Sequence, residues 1–129
     1  MNFPKELRYS REHEWVRVEG NRVTVGITDY AQSQLGDVVF VEIPAVGGAV
    51  AAGKTFSVVE SVKAVSDIYA PVSGSIVAVN EELADTPEVV NSDPYGKGWI
   101  AVIELANPAE INELMDSDAY AQLAAGGGH

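Results

Sequence analysis

A single lysine stands between two short apolar runs in the segment 54–74, KTFSVVESVKAVSDIYAPVSG. The runs, 56–59 and 65–69, are rich in β-branched and aromatic residues, which is typical of β-strands. Residues that commonly end strands follow the second run: Pro71 and Gly74. An antiparallel pairing of the two runs places the residues between them at a hairpin tip, so the side chain of Lys63 is expected to face solvent.

These residues leave two interpretations of Lys63 open. Lysine is common in exposed turns because its ammonium group is strongly hydrated, and a short motif around one lysine matches easily by chance. Alternatively, Lys63 is an attachment point for a covalent group. Its neighbours Val62 and Ala64 are uncharged and not bulky, so a modifying enzyme would reach it and an attached group would project away from the fold.

The rest of the chain predicts a mostly β fold. Alternating polar and apolar residues predict a hairpin of strands near 16–19 and at 22–27. Thr28 is expected to cap a short helix over 29–35 that Gly36 ends. Further strands are expected at four places: 38–43, around Val50, 76–79 and 98–105.

Several short helices are also expected. The segments 80–83, with Asn80 as its cap, and 87–91 each predict about one turn. Asn107 predicts an N-cap, with Pro108 at the first helical position and Glu110 at the capping-box position. Three apolar residues of this helix should pack on a sheet: Ile111, Leu114 and Met115. Ser117 is expected to cap a last helix through Leu123. Short strands with small helices favour two packed antiparallel sheets.

Composition narrows the range of functions. The 129 residues fit one domain, and the absence of cysteine excludes disulfides and thiolate metal sites. The only histidines are His13 and His129, too few for a three-histidine metal site. A net charge of −11 disfavours nucleic acid as a partner. No apolar run is long enough to cross a bilayer, and no catalytic constellation is visible. These features indicate a carrier or binding module rather than an enzyme.

The segment VGGAVAAGKTFSVVESVKAVSDIYAPVSGSIVAVN resembles the hammerhead of lipoyl domains. It has an acidic residue, Glu60, three positions before the lysine and Gly74 eleven positions after it. Two further phrases, HEWVRVEGNRVTVGITDYAQSQLGDVVFVEIPAVG and VNSDPYGKGWIAVIEL, resemble the H proteins of the glycine cleavage system, so the likeness covers nearly the whole chain. Biotin carriers have methionine on both sides of their lysine, whereas this chain has Val62 and Ala64.

The resemblance implies a fold and its boundaries. It implies one lipoyl-carrier domain over 1–129, an α+β barrel-sandwich of the lipoyl and biotinyl type made of two packed antiparallel sheets. The hammerhead core is expected at about 38–80, the C-terminal helices at about 107–124 and a flexible tail at 125–129. The chain departs from the family in its Ala- and Gly-rich tail from Ala121 and in the acid at Glu12.

The resemblance also implies a cofactor and partners. Lipoic acid would be joined to Lys63 by an amide and would visit three enzymes in turn. A pyridoxal-phosphate-dependent glycine decarboxylase would load an aminomethyl group, and an aminomethyltransferase would release ammonia and pass the one-carbon unit to tetrahydrofolate. Dihydrolipoyl dehydrogenase would then reoxidise the dithiol. This chain would contribute no catalysis, because the chemistry belongs to the cofactor and the partners.

Four carboxylates are candidates for roles around the lysine. Glu60 is expected to be recognised by the lipoylating enzyme. Burial of the loaded arm would slow its decomposition, and a carboxylate could pair with its ammonium; the candidates are Glu12, Glu14 and Asp67. The family pattern favours Glu14 and Asp67. The alternative for these last three is that all are exposed charges that favour solubility.

Two alternatives to the shuttle function stay open. The chain could be a relay carrier that donates lipoyl groups to other proteins, or an unmodified adaptor domain of the same fold. The N-terminus shows neither a secretory signal nor a transit peptide. We therefore expect a cytoplasmic, bacterial-type chain, or a mitochondrial matrix protein if a presequence has been removed.

Overall fold

The computed structural model describes residues 2–126, and these form nine β-strands, three α-helices and two 3₁₀ helices. The strands are β1 (Arg8–Tyr9), β2 (Glu14–Glu19), β3 (Arg22–Ile27), β4 (Val38–Val41), β5 (Ala49–Val50), β6 (Thr55–Ser61), β7 (Val65–Tyr69), β8 (Gly74–Val79) and β9 (Ala101–Leu105). The helices are α1 (Asp29–Leu35), α2 (Val89–Ser92) and α3 (Ser117–Ala125), and the 3₁₀ segments are Glu81–Ala84 and Pro108–Glu113.

The strands form two antiparallel sheets, as predicted. The larger sheet has the order β1-β2-β3-β9-β8-β5, and the smaller one has the order β4-β6-β7. Among residues 2–126, no strand pairing closes the two sheets into a barrel. The smaller sheet contains the β6–β7 hairpin that was expected around the lysine, with Glu60 opposite Val65 as the last pair before the tip.

The predicted start and end of α1 are confirmed. The Thr28 side chain accepts a hydrogen bond from the Ala31 N–H at 3.1 Å, which satisfies one of the free donors of the first turn. Gly36 ends the helix with a φ of 78°, a backbone conformation that glycine adopts without a steric penalty. The hairpin of β2 and β3 also has the expected two-residue turn between Glu19 and Arg22.

Three predicted capping roles are wrong, and for two of them, Asn80 and Glu110, another polar partner takes the side chain. The Asn80 amide donates to the carbonyl oxygens of Lys97 and Trp99, at 2.7 and 2.9 Å, instead of capping the 3₁₀ segment 81–84. The Glu110 carboxylate accepts from the N–H and the hydroxyl of Ser73, at 2.8 and 3.1 Å. Asp116, rather than Ser117, caps α3. Groups that folding brings close, rather than the adjacent helix end, bind the Asn80 and Glu110 side chains.

The core lies mainly between the sheets. Its largest cluster contains buried residues from both sheets, including Ile27, Val41, Val59, Ile68 and Ile76. Ile111 and Leu114 pack on a second cluster around Val72 and Ile103, and Met115 packs on a third, as expected for these apolar residues.

The third cluster is largely aromatic. Tyr9 and Tyr120 stack with their ring centroids 4.8 Å apart, and Trp15 is completely buried beside them. This cluster attaches α3 to the larger sheet. The helix continues to Ala125, and residues 127–129 of the expected tail, including His129, lie outside the described residues. No helix within residues 2–126 has both the length and the apolar character needed to cross a bilayer.

Gly74 provides a test of the sheet packing. A Cβ atom at this position would lie 1.9 Å from the carbonyl oxygen of Glu104 on the neighbouring β9, a distance that requires the backbone to shift. We expect Gly74→Ala to lower the free energy of unfolding by about 2–4 kcal/mol in chemical denaturation. Gly126→Ala is the control, because its Cβ would make only ordinary contacts at 3.5 Å or more. Equal stability of the two variants would contradict this packing.

Candidate carrier site

The hairpin tip is closed by the Ser61 side chain. The Ser61 N–H donates to the Ala64 carbonyl at 2.8 Å, and the Ser61 hydroxyl oxygen accepts from the N–H groups of Ala64 and Lys63 at 3.0 and 3.3 Å. Because Val62 and Lys63 both have negative φ, the tip is not one of the turns that require glycine or asparagine. The Val62 N–H also donates to the Asp37 carbonyl at 3.0 Å, which joins the tip to the loop after α1.

Lys63 is exposed at this tip, as predicted. Among residues 2–126, no carboxylate lies within ion-pair distance of its ammonium group. Its carbon stem passes close to Gly36, where a Cβ atom would lie 3.5 Å from the lysine Cε. The amine is therefore accessible, and the space around it permits an acyl chain to be attached.

A groove of about 250 Å³ lies beside the hairpin. Its apolar lining comes from both sheets and from α1, and consists of Ile27, Ala31, Leu35 and Ile68. Its polar lining consists of Glu12, His13, Tyr30, Gln34, Ser66 and Asp67. Strand β7 begins two residues after Lys63 and rises about 3.3 Å per residue, so the groove starts roughly 10 Å from the lysine along this strand. A long flexible arm on Lys63 would reach it.

Glu14 differs from the other acidic candidates because it is buried, with 1% of its surface exposed. Its carboxylate accepts from the Ser10 hydroxyl at 2.5 Å and from the Tyr69 N–H of β7 at 3.3 Å, so it connects the larger sheet to the hairpin. Burial raises the pKa of Glu14 to about 7, although both hydrogen bonds favour the charged form, and the nearby Glu12 raises it slightly further.

The structure separates the three candidates for stabilising a loaded arm. It brings Glu12 and Asp67 together on the groove lining, and both are exposed. Glu14 is buried and is not among the lining residues. Glu60 lies half-buried on β6, with its Cα opposite those of Phe40 and Val65, away from the groove.

His13 is a groove residue that the sequence did not indicate. It adopts a φ of 72°, uncommon for a residue with a side chain, and its Nδ1 lies 2.7 Å from the Tyr120 hydroxyl. The same hydroxyl lies 2.7 Å from Thr28 Oγ1. Because Thr28 already accepts from Ala31, a consistent arrangement has Thr28 donating to Tyr120 and Tyr120 donating to His13. Burial raises the pKa of Tyr120 to about 12, which keeps this donor protonated.

A tightly closed β-hairpin with an exposed lysine at its tip, next to a groove that could receive an arm, defines a carrier domain for a covalently attached group. The family model described as glycine cleavage H-protein matches residues 7–126. The chain belongs to this family.

Individual relatives agree with the family match. The chain is 58% identical over 120 residues to the glycine cleavage system H protein of Carboxydothermus hydrogenoformans, covering 93% of this chain and 92% of the relative. It is 59% identical over 123 residues to that of Anoxybacillus flavithermus, covering 95% and 97%. The crystal structure of a glycine cleavage system H protein from Mycobacterium marinum superposes with a TM-score of 0.88 at 40% identity, covering 95% of this chain and 99% of that one.

The buried carboxyl of Glu14 predicts a pH-dependent stability. Between pH 4.5 and about 7 the folded protein keeps a proton on Glu14 that the unfolded chain has lost, so the free energy of unfolding falls as the pH rises through this window. The total loss from this group is about 3 kcal/mol. We expect denaturation curves at pH 5, 6, 7 and 8 to show this loss in the wild type and not in Glu14→Gln.

Glu19→Gln is the matched control for this measurement. Glu19 is an exposed carboxylate at the other end of β2 and is not among the groups that act on Glu14, so its variant should keep the wild-type slope of stability against pH. Parallel curves for the wild type and Glu14→Gln would show that Glu14 titrates at its ordinary pKa.

Proposed function

We propose that this chain is the lipoyl-bearing shuttle of a glycine cleavage system, with lipoic acid joined by an amide to Lys63. The observation that carries the proposal is the exposed, unpaired position of Lys63 at the β6–β7 tip of a chain that matches the H-protein family over residues 7–126. The bacterial relatives support a cytoplasmic location. The chain itself acts as a non-catalytic carrier.

The residues around the tip fit a lipoyl group. The group is a long alkyl chain that ends in a ring of low polarity, and the groove offers an apolar lining from Ile27, Leu35 and Ile68. Its walls are formed by packed secondary structure, since α1 is capped at both ends and β7 is paired along its length with β6. When bound, the group supplies a dithiol-disulfide couple and a sulfur that can carry a one-carbon unit.

The protein residues then have three functions. Ser61 holds the tip, and Lys63 provides the attachment point and presents it to solvent. The groove excludes water from the end of the arm. The partners that this scheme requires are glycine decarboxylase, aminomethyltransferase, dihydrolipoyl dehydrogenase and a lipoylating enzyme. Residues 2–126 contain no group of three or more histidine, aspartate or glutamate side chains placed to hold a metal ion.

We further propose that carboxylates of the groove stabilise the ammonium of a loaded arm. Asp67 and Glu12 are placed for direct contact because both line the groove. Glu14 is buried and does not line the groove. It would act indirectly, by holding Tyr69 and thus the position of β7, or directly if its bond to Ser10 opens. Pairing with an ammonium in a partly desolvated site is stronger than at an open surface.

Site-specific modification of Lys63 tests the main proposal. We expect the intact mass of protein isolated from its native source to exceed the sequence mass by one lipoyl group, with the adduct mapped to Lys63. Lys63→Arg should abolish the adduct, since a guanidinium is not acylated under these conditions. Lys54→Arg, at the other end of the same hairpin, is the matched control and should be modified normally. An unmodified native protein would support the adaptor alternative.

Glu60→Gln separates recognition from attachment. Glu60 is half-buried on β6, three residues before the lysine, so a lipoylating enzyme can recognise its charge without contact between Glu60 and the acyl chain. We expect Glu60→Gln to be modified at the same lysine but more slowly, in a time course followed by intact mass. Modification at the wild-type rate would remove Glu60 from the recognition site.

The lifetime of the loaded arm tests the groove carboxylates. We expect Asp67→Asn and Glu12→Gln to shorten the half-life of the aminomethyl-loaded protein by several-fold, because each loses a charge that faces the ammonium. Asp85→Asn, an exposed carboxylate remote from the groove, should leave the half-life unchanged. Half-lives equal to that of Asp85→Asn would reject the role of these two carboxylates. The same result for Glu14→Gln would reject a direct role of the Glu14 charge, and the same result for Glu14→Ala would reject its role in holding Tyr69.

A further inference from the structure

The outward side of the smaller sheet carries an unusual apolar patch beside Lys63. Phe40 on β4 and Val65 on β7 lie in one row across the sheet, with Glu60 of β6 between them. The exposed fractions of Phe40 and Val65 are 49% and 68%. A register shift between Val38 and Phe40 leaves Val39 exposed as well, and Val62 at the tip extends the patch. We call Val39, Phe40, Val62 and Val65 the tip patch.

The tip patch is not an ordinary scatter of exposed apolar residues. Within residues 2–126, six large apolar side chains are exposed, and only Val18 and Val46 lie outside the patch. Single exposed apolar residues are normal on a protein surface, whereas a cluster usually marks an interaction site. The patch lies next to Lys63, since Val62 precedes the lysine and Val65 follows it by two residues, and no other part of the described chain covers it.

The charged residues on and beside the three strands are mostly acidic. From residue 23 to residue 96 the only basic residues are Lys54, just before β6, and Lys63 itself. Four carboxylates lie on or beside the three strands: Asp37, Glu42, Glu60 and Asp67. The complementary partner surface is therefore apolar at its centre and basic at its rim.

The length of the lysine side chain limits which partner enzyme has to contact the hairpin. Its Nζ extends only about 6 Å from the Cα, so an enzyme that acylates the amine must contact the hairpin itself. An enzyme that acts on the far end of an attached arm can bind elsewhere. We propose that the tip patch is the docking surface for the lipoylating enzyme, an inference that rests on the proposed attachment of lipoic acid to Lys63.

The reaction at this surface is an acyl transfer. The deprotonated Nζ attacks the carbonyl carbon of an activated lipoyl adenylate held by the enzyme, the amide bond forms, and AMP leaves as the adenylate bond breaks. The lysine proton passes to the enzyme or to water. The tip patch does not take part in this chemistry and only positions the amine, so its loss should raise KM more than it lowers kcat.

The test measures lipoylation of folded protein by a lipoate-activating ligase with lipoic acid and ATP, using intact mass at several protein concentrations. We expect Phe40→Ser to lower kcat/KM about tenfold or more, mainly through KM, and the nearly isosteric Val65→Thr to lower it several-fold. Val18→Thr is the matched control, since Val18 is an exposed valine of the larger sheet, and should stay within about twofold of the wild type.

Three outcomes would be decisive. If Phe40→Ser and Val65→Thr are folded by circular dichroism and are modified at the wild-type rate, the docking surface is rejected while the carrier function stands. If the wild type is not modified at Lys63, the proposed function itself fails. The variants are also lipoylated to completion and then assayed with dihydrolipoyl dehydrogenase, where we expect the wild-type rate. An equal loss in both assays would overturn the assignment of the tip patch to the lipoylating enzyme.

Discussion

The structure depends on a hairpin that is anchored along one face while its tip stays in solvent. Val59 and Ile68 bury the inner face of β6 and β7 against the larger sheet, and this apolar contact fixes the register of both strands. Near the tip, the Val62 N–H bonds to the Asp37 carbonyl. At the far end, the Tyr69 N–H bonds to the buried Glu14 carboxylate. The lysine is therefore presented on a rigid support rather than on a mobile loop.

The groove follows from the same arrangement. Its walls come from a turn before β2, from α1 and from β7, which meet only because the two sheets pack together. The Tyr120 hydroxyl of the C-terminal α3 supports this junction by contacting both His13 and Thr28. A helix distant in sequence thus determines the position of a groove residue, so the C-terminal segment contributes to the site as well as to the fold.

The structural features that depend on neighbouring residues were predicted from the sequence. The cap at Thr28, the end of α1 at Gly36 and the exposed tip at Lys63 follow from neighbouring residues and were found as predicted. The burial of Glu14 was not predictable, because it depends on an N–H from a strand 55 residues away. For the same reason the partners of Asn80 and Glu110 were missed: each side chain bonds to backbone that the chain brings close only after folding. Whether Glu60, Asp67 and Glu12 have the proposed roles remains a prediction.

Successive side chains of β7 point to opposite sides of the sheet, so this short strand contributes to both the tip patch and the groove. Val65 lies on the outward side in the tip patch, whereas Ser66 and Ile68 lie on the opposite side of the strand and line the groove. Asp67, on the same side as Val65, also lines the groove, so the tip patch and the groove meet along this strand. The exposed valines cost some solubility, and the net charge of −11 offsets this cost by mutual repulsion between copies. The acidic surface and the apolar tip are therefore compatible features of one carrier: the charge keeps the chain dispersed, and the patch confines close contact to the face beside the lysine.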